Sequence, residues 1–155
     1  MSQENVEVVR RSLERYGDLG TPENLPQHVA EFWDPDCDYY PAQKFLEARP
    51  CHGHQQIARW ITEFLGAYAR FEFAIDRLIA VADDRVLVCA NMRAEGRGSG
   101  VNIEGDIYQC YWMRHGRFFR LEDHLTLAGA IHALGLSGQT LEAAGLSKQD
   151  AHADP

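Results

Sequence analysis

Apolar residues recur along this chain with a helical period in its first half and a strand period in its second. Over residues 3–17, Val6, Val9, Leu13 and Tyr16 share one helical face, with Glu4, Glu7, Arg10, Arg11, Glu14 and Arg15 on the wet side. Gly17 and Gly20 are expected to end that helix. A second helix is predicted over 25–33, where Val29, Phe32 and Trp33 align and Asp34-Pro35 stops it. A short strand, 37–40, closes at Pro41, and 42–53 has no period and reads as loop. After Gly53, the residues Ile57, Trp60, Ile61, Phe64, Leu65 and Tyr68 make a wide apolar stripe that requires a large partner surface. Four strand-like runs supply it: 71–81, 85–97, 101–113 and 117–127, joined at 82–84, 98–100 and 115–116 by residues that tolerate turn dihedrals. Short connections make an antiparallel meander, and helices followed by sheet predict an α+β fold with one sheet face covered by helices. A short helix is expected from Gly129 to Leu134, with 152–155 frayed. The chain reads as one domain, 1–136, with a partly disordered tail over 137–155.

The last run, 117–127, carries the most informative irregularity. Strict alternation puts Phe119, Leu121, Asp123, Leu125 and Leu127 on one face, and Phe118, Arg120, Glu122, His124 and Thr126 on the other. One carboxylate therefore interrupts an apolar face. Burying a charge is costly unless the surroundings use it, so Asp123 is the leading functional candidate. A general acid/base role in a cavity between helices and sheet is weighed against a structural carboxylate bonded to core donors. Desolvation would raise its pKa toward neutrality. His124 points to the opposite face and cannot assist it directly.

Charge narrows the partners. A net charge of −8, with 15 scattered basic residues, argues against a phosphate-binding surface and so against nucleic acid. No run approaches the roughly 20 apolar residues that span a bilayer, and Met1 to Asn5 lack the basic and apolar regions of a secretion signal, so a cytoplasmic protein is expected. Cys37, Cys51, Cys89 and Cys110 lack zinc-type spacing and read as buried thiols. His52-x-His54 offers two ligands and no third, so no metal is expected. Gly96-x-Gly98-x-Gly100 joins strands rather than opening a helix and reads as a hairpin, not a phosphate loop.

Aromatic residues exceed what a plain core needs. Trp33, Tyr39, Tyr40, Trp60, Phe64, Tyr108, Tyr111 and Trp112 are candidates to line a pocket for a small hydrophobic molecule, since such rings bury area and can still offer a hydrogen bond, with core packing the alternative for each. Tyr108 and Trp112 share one strand face and Tyr111 takes the other; alternation alone leaves open which looks inward. Arg93 alternates with Glu95 and Arg97, either at the cavity mouth, where it would polarise a substrate oxygen, or on an ion-paired surface. An empty cavity of several hundred cubic ångströms beside Asp123 is the expectation for a binding protein or enzyme.

The order of elements, with Ser2 to Arg10, His52-Gly53, Gly96 to Val101, Gly116 to Asp123 and Ala133 to Leu136, resembles the SnoaL-like branch of the nuclear-transport-factor-like cone fold, which also holds ketosteroid isomerase, scytalone dehydratase and limonene epoxide hydrolase. The resemblance covers roughly residues 3–136 and implies a cone-shaped α+β barrel whose N-terminal helices pack on a curved, mostly antiparallel sheet. In SnoaL-type polyketide cyclases the acid/base aspartate lies seven residues past the glycine that opens the last long strand, the position of Asp123 here. The resemblance further implies a cofactor-independent cyclase, isomerase, dehydratase or hydrolase, and a homodimer formed through the outer sheet face. The same fold also hosts non-catalytic binding and scaffold proteins. Thr126 stands where many relatives carry an Asp, and the early strand, where ketosteroid isomerase has its base, offers Asp38, Tyr39 and Tyr40.

Overall fold

A computed structural model describes residues 2–16, 24–43, 45 and 48–152. The expected stop at Gly17 and Gly20 and the frayed end at 153–155 lie outside the described residues. Three helices come first: α1 (Ser2–Arg15), α2 (Leu25–Phe32) and α3 (Gly53–Gly66). Between α2 and α3 run β1 (Trp33–Tyr40) and β2 (Cys51–His52); then come β3 (Tyr68–Ala82), β4 (Arg85–Gly96), β5 (Asn102–Arg114) and β6 (Arg117–His124). The chain closes with α4 (Leu127–Ala133), α5 (Gly138–Ala143) and α6 (Lys148–His152).

The six strands form one sheet in the order β2-β1-β6-β5-β4-β3, antiparallel throughout except where β1 lies parallel to β6. The predicted meander and the α+β class are found. The edges β2 and β3 do not pair, so the curved sheet stays open. The main difference from the sequence reading is at β2: residues 42–53 were expected to be loop, but Cys51 and His52 pair with Tyr39 and Asp38. Two residues carry too little pattern for periodicity to register. Gly53 then takes φ +79, a left-handed conformation that turns the chain directly from β2 into α3 and that side chains disfavour.

Two hydrophobic clusters lie on opposite faces of the sheet. The inner one joins Val6, Val9, Val29, Phe32, Trp60 and Ile61 of the first three helices to Val86, Val88, Ile107, Tyr111 and Leu121 of the sheet. The outer one packs Ile131, Leu134, Leu141 and Leu146 on Leu87, Cys89 and Cys110. Residues 137–152, read as a tail, thus carry two short helices, with Leu141 of α5 and Leu146 between the helices buried in the outer cluster. α5 begins at a capping box in which Ser137 and Thr140 satisfy each other's backbone N–H groups.

The last strand departs from strict alternation. Met113 pairs with Phe118 but Trp112 pairs with Arg120, so β6 holds one extra residue, a bulge at Phe119. Its effect is to turn Phe118 inward, 1% exposed, together with Leu121 and Asp123. Phe119 lies instead beneath the Arg114 guanidinium, 4.1 Å from its ring centroid. The strand also stops earlier than the expected residue 127. Leu125 is exposed, and Thr126 caps α4 by accepting the Gly129 N–H at 3.0 Å.

Candidate functional site

A cavity with about 70 Å³ of free space lies between α1, α3 and the inner sheet face, well below the expected several hundred. Room for a water takes roughly 10–15 Å³ on this kind of measure, so the space holds a few waters or a small organic group. Aromatic packing explains the difference. Phe45, from the stretch read as loop, leans on Trp60 and Phe64 at centroid distances of 6.4 and 5.0 Å, while Trp60 and Phe64 stack at 5.1 Å. Tyr39 meets Trp60 edge-on at 5.4 Å.

β6 places Asp123, and its neighbours across the sheet fix its orientation. Gln109 of β5 is directly opposite it in the register. Tyr39 Oη donates to Asp123 Oδ2 at 2.6 Å, Gln109 Nε2 donates to Asp123 Oδ1 at 3.0 Å, and Tyr111 Oη donates to Gln109 Oε1 at 2.8 Å. The Tyr111 donor sets the amide: with Oε1 accepting, Nε2 must face the carboxylate. Burial raises the Asp123 pKa to about 6, against the opposing pull of the Tyr39, Gln109 and Ala42 backbone bonds. Burial likewise pushes the Tyr39 and Tyr111 phenols well up, so both remain proton donors. Tyr16, in the turn that ends α1, also lines the cavity with its pKa raised, by burial first and by the Asp123 charge second.

The structure gathers Asp123, Trp33, Tyr39, Trp60 and Phe64 around this cavity. Tyr40, Arg93, Tyr108 and Trp112 are not among its lining residues. Alternation along β1 buries Cys37 and Tyr39 and turns Asp38 and Tyr40 to the other face. There Tyr40 and Trp112 flank Arg120, whose guanidinium lies 4.5 and 5.5 Å from their ring centroids. Tyr108 and Trp112 pack on the outer cluster. Arg93 is 65% exposed and paired with Glu104 at 3.2 Å, the ion-paired surface of the two readings. Asp38 is paired with His52 Nδ1 at 2.7 Å on the exposed side, and His124 with Glu122 at 3.1 Å. His54 bonds the Trp33 carbonyl, and among the described residues no three His, Cys, Asp or Glu converge as a metal site requires.

Two polar residues of the cavity were not singled out from sequence. Gln109 sits between Ile107 and Tyr111 on one strand face, the same signal that marked Asp123. Ser12 interrupts the apolar face of α1, is 1% exposed, and lies 3.1 Å from His28 Nε2 of α2.

The SnoaL-like domain family model matches residues 13–121. No curated protein matches. An NTF2-like protein of unknown function from Burkholderia pseudomallei K96243 is 23% identical, with a TM-score of 0.68 over 85% of this chain and 97% of that one. TerC, crystallised with polyporic acid, is 20% identical, with a TM-score of 0.66 over 84% of this chain and 97% of that one. A protein of ketosteroid isomerase-like fold from Catenulispora acidiphila DSM 44928, in complex with trimethylamine, is 16% identical, with a TM-score of 0.57 over 84% of this chain and 87% of that one. At these identities the likeness establishes the fold. Among the described residues, no helix is long and apolar enough to cross a membrane.

Proposed function

This chain belongs to the SnoaL-like domain family, and from that premise we propose that it binds a small hydrophobic molecule in the inner cavity and moves a proton on it with Asp123, without a cofactor. One observation carries the reading: a single carboxyl with a pKa raised to about 6 stands on the wall of an otherwise aromatic and aliphatic cavity. Such a group is mostly carboxylate at neutral pH, yet basic enough to take a proton from carbon or oxygen and return it. Tyr39 holds one of its oxygens and, with Gln109, keeps the other from rotating. Tyr16, a protonated phenol on the same cavity, would donate to an oxygen that gains charge. Apolar walls keep water from competing for the proton. Cyclase, isomerase, dehydratase and hydrolase reactions all use this step. TerC with polyporic acid and the Catenulispora protein with trimethylamine are cases of this fold crystallised with small organic molecules.

A second reading, binding without chemistry, is favoured by the engagement of both Asp123 oxygens with protein donors. Mass spectrometry of molecules retained through gentle purification identifies the ligand class. Asp123→Asn then separates the readings: turnover of that ligand should fall by about a thousandfold or more, while its affinity weakens by no more than about tenfold, the scale of one hydrogen bond. Binding with no turnover by either protein sinks the enzyme reading.

A homodimer through the outer sheet face would have to use the part of it that α4–α6 leave uncovered, where Arg93 and Glu104 lie. Light scattering of wild type and Arg93→Glu tests this; a monomeric wild type rules it out.

A further inference from the structure

α1 and α2 bury a polar pair that the acid/base reading does not use. Ser12 lies on the cavity wall four residues before Tyr16, which follows α1, and both hydroxyl-bearing side chains line the cavity. Ser12 Oγ is 3.1 Å from His28 Nε2, and both residues are at least 97% buried, at 1% and 3% exposure. His28 Nδ1 is one of two buried side-chain nitrogens without a hydrogen-bond partner among the described residues, the other being the Trp33 indole nitrogen. Around the imidazole are the rings of Tyr16 and Phe32, at 5.1 and 4.8 Å. Burial, and the positive charge of Arg15 after it, lowers the His28 pKa to about 4, so the ring is neutral and carries one proton.

Where that proton sits decides what Ser12 can do. A proton on Nδ1 would leave a buried N–H without an acceptor, whereas a proton on Nε2 leaves Nδ1 as a bare acceptor, the less costly orphan. The Nε2–H then donates to Ser12 Oγ. Among the described residues the Ser12 hydroxyl hydrogen then has no acceptor: a helical serine can bond the carbonyl four residues back, as Thr62 does to Ala58, but Ser12 shows no such bond. Ser12 itself lines the cavity, where a ligand atom can accept that hydrogen.

We infer that Ser12, oriented by His28, is a second polar contact of the cavity, and that the ligand is a small apolar molecule carrying a hydrogen-bond acceptor for Ser12 and, elsewhere on its frame, a donor or acidic proton for Asp123. The inference rests on the binding reading above and adds to it the ligand's two-point chemistry. Asp123 on β6 is one polar locus, and Ser12 on α1 is the second. An apolar ligand with a single oxygen would satisfy only one of them.

Cyanophenols test this with the full-length chain, because the hydroxyl suits Asp123 and the nitrile is a small acceptor whose stretching frequency reports a hydrogen bond. Titration of wild type with 3- and 4-cyanophenol should show at least one binding more tightly than phenol by roughly threefold to tenfold, the size of one net hydrogen bond. Its bound nitrile should show the hydrogen-bonded frequency. Ser12→Ala should remove both effects, with an unchanged circular dichroism spectrum showing that the variant is folded. Asp123→Asn should weaken phenol and cyanophenol alike. If Asp123→Asn weakens both while Ser12→Ala alters neither affinity nor frequency, the Ser12 contact is wrong and the Asp123 site stands. If Asp123→Asn changes nothing, the underlying reading fails instead. Failure of wild type to bind either cyanophenol more tightly than phenol overturns the two-point proposal. So does an ¹⁵N spectrum of the free protein with the His28 proton on Nδ1.

Discussion

Tyr39 and Asp123 are 84 residues apart in sequence, and their side-chain oxygens lie 2.6 Å apart inside the protein. The contact exists because β1 lies parallel to β6, with Tyr39 in register with Leu121, which brings the inward-facing positions of the two strands together. The bond favours the charged form of Asp123, against the burial that opposes it. Tyr39→Phe keeps the ring packing against Trp60 and Trp33 and removes only the donor. The Asp123 pKa should then rise above about 6 by roughly one further unit, the lower end of what a hydrogen bond to a charged group contributes. A carboxyl-carbon NMR titration measures it, and an unchanged or lower pKa would contradict the assignment.

Stability should carry the signature of the same buried acid. Below about pH 4 Asp123 is protonated in both folded and unfolded chains and contributes nothing. Between about pH 4 and 6 the unfolded chain releases the proton while the folded one retains it, so folding loses stability as pH rises. Above pH 6 the penalty is constant at about 3 kcal/mol, from a shift of roughly two units. Asp34 runs the other way, its pKa lowered by the hydrogen bond from Arg114, so total stability mixes the two. The difference between wild type and Asp123→Asn isolates the first. Urea unfolding from pH 3.5 to 7.5 should show the wild type losing ground to the variant across that window; a flat difference would mean Asp123 titrates normally.

Much of this arrangement was legible from spacing alone, and the parts that were not share a cause. Asp123 stood out because one carboxylate broke an apolar alternation, and Gln109 breaks the neighbouring strand in the same way. Tyr40, Tyr108 and Trp112 were placed with the pocket because an aromatic ring suits either face of a sheet; here α4–α6 give the outer face an apolar cluster of its own. The pairing of β1 with β6 is nonlocal and leaves no mark in either strand. Phe45 lies in a segment without period, where only a contact with Trp60 and Phe64 reveals its role. The bulge at Phe119 inverted Phe118 and Phe119 while positions 120–124 kept the expected alternation, since pairing register rather than sequence alternation fixes which residue is the extra one.

Adjacent phenylalanines should therefore behave oppositely. Phe118 is 1% exposed among Phe32, Trp33 and Tyr111, whereas Phe119 covers Arg114 near the surface. Phe118→Ala should cost about 3–5 kcal/mol in denaturant unfolding, the usual range for emptying a buried aromatic site. Phe119→Ala should cost about 1 kcal/mol, the scale of one exposed cation–π contact. The reverse order is what uninterrupted alternation demands, so the pair of measurements decides whether the bulge is present in solution.

The two last helices decide whether the folding unit ends near residue 136. Leu141, Ala144 and Leu146 are buried in the outer cluster, and Arg77 reaches across to the Gly145 carbonyl at 3.5 Å. Against this, α5 and α6 are six and five residues long, too short to be helical without the sheet beneath them. Their order and the cover of the outer face thus depend on each other. Ending the chain after Leu136 removes those three side chains and uncovers part of the surface around Val81 and Cys89. Burying a single leucine contributes about 1.5–3 kcal/mol before the cost of ordering the chain is subtracted, so a net loss of about 2–4 kcal/mol is expected. Cys89, only 4% exposed in the whole chain, should react faster with a thiol reagent in the shortened one, while Cys110, beneath Ala130 of α4, should not. Unchanged stability with unchanged Cys89 reactivity would make 1–136 the complete domain and the remainder a tail; a slow Cys110 beside a fast Cys89 would make α5 and α6 part of the fold.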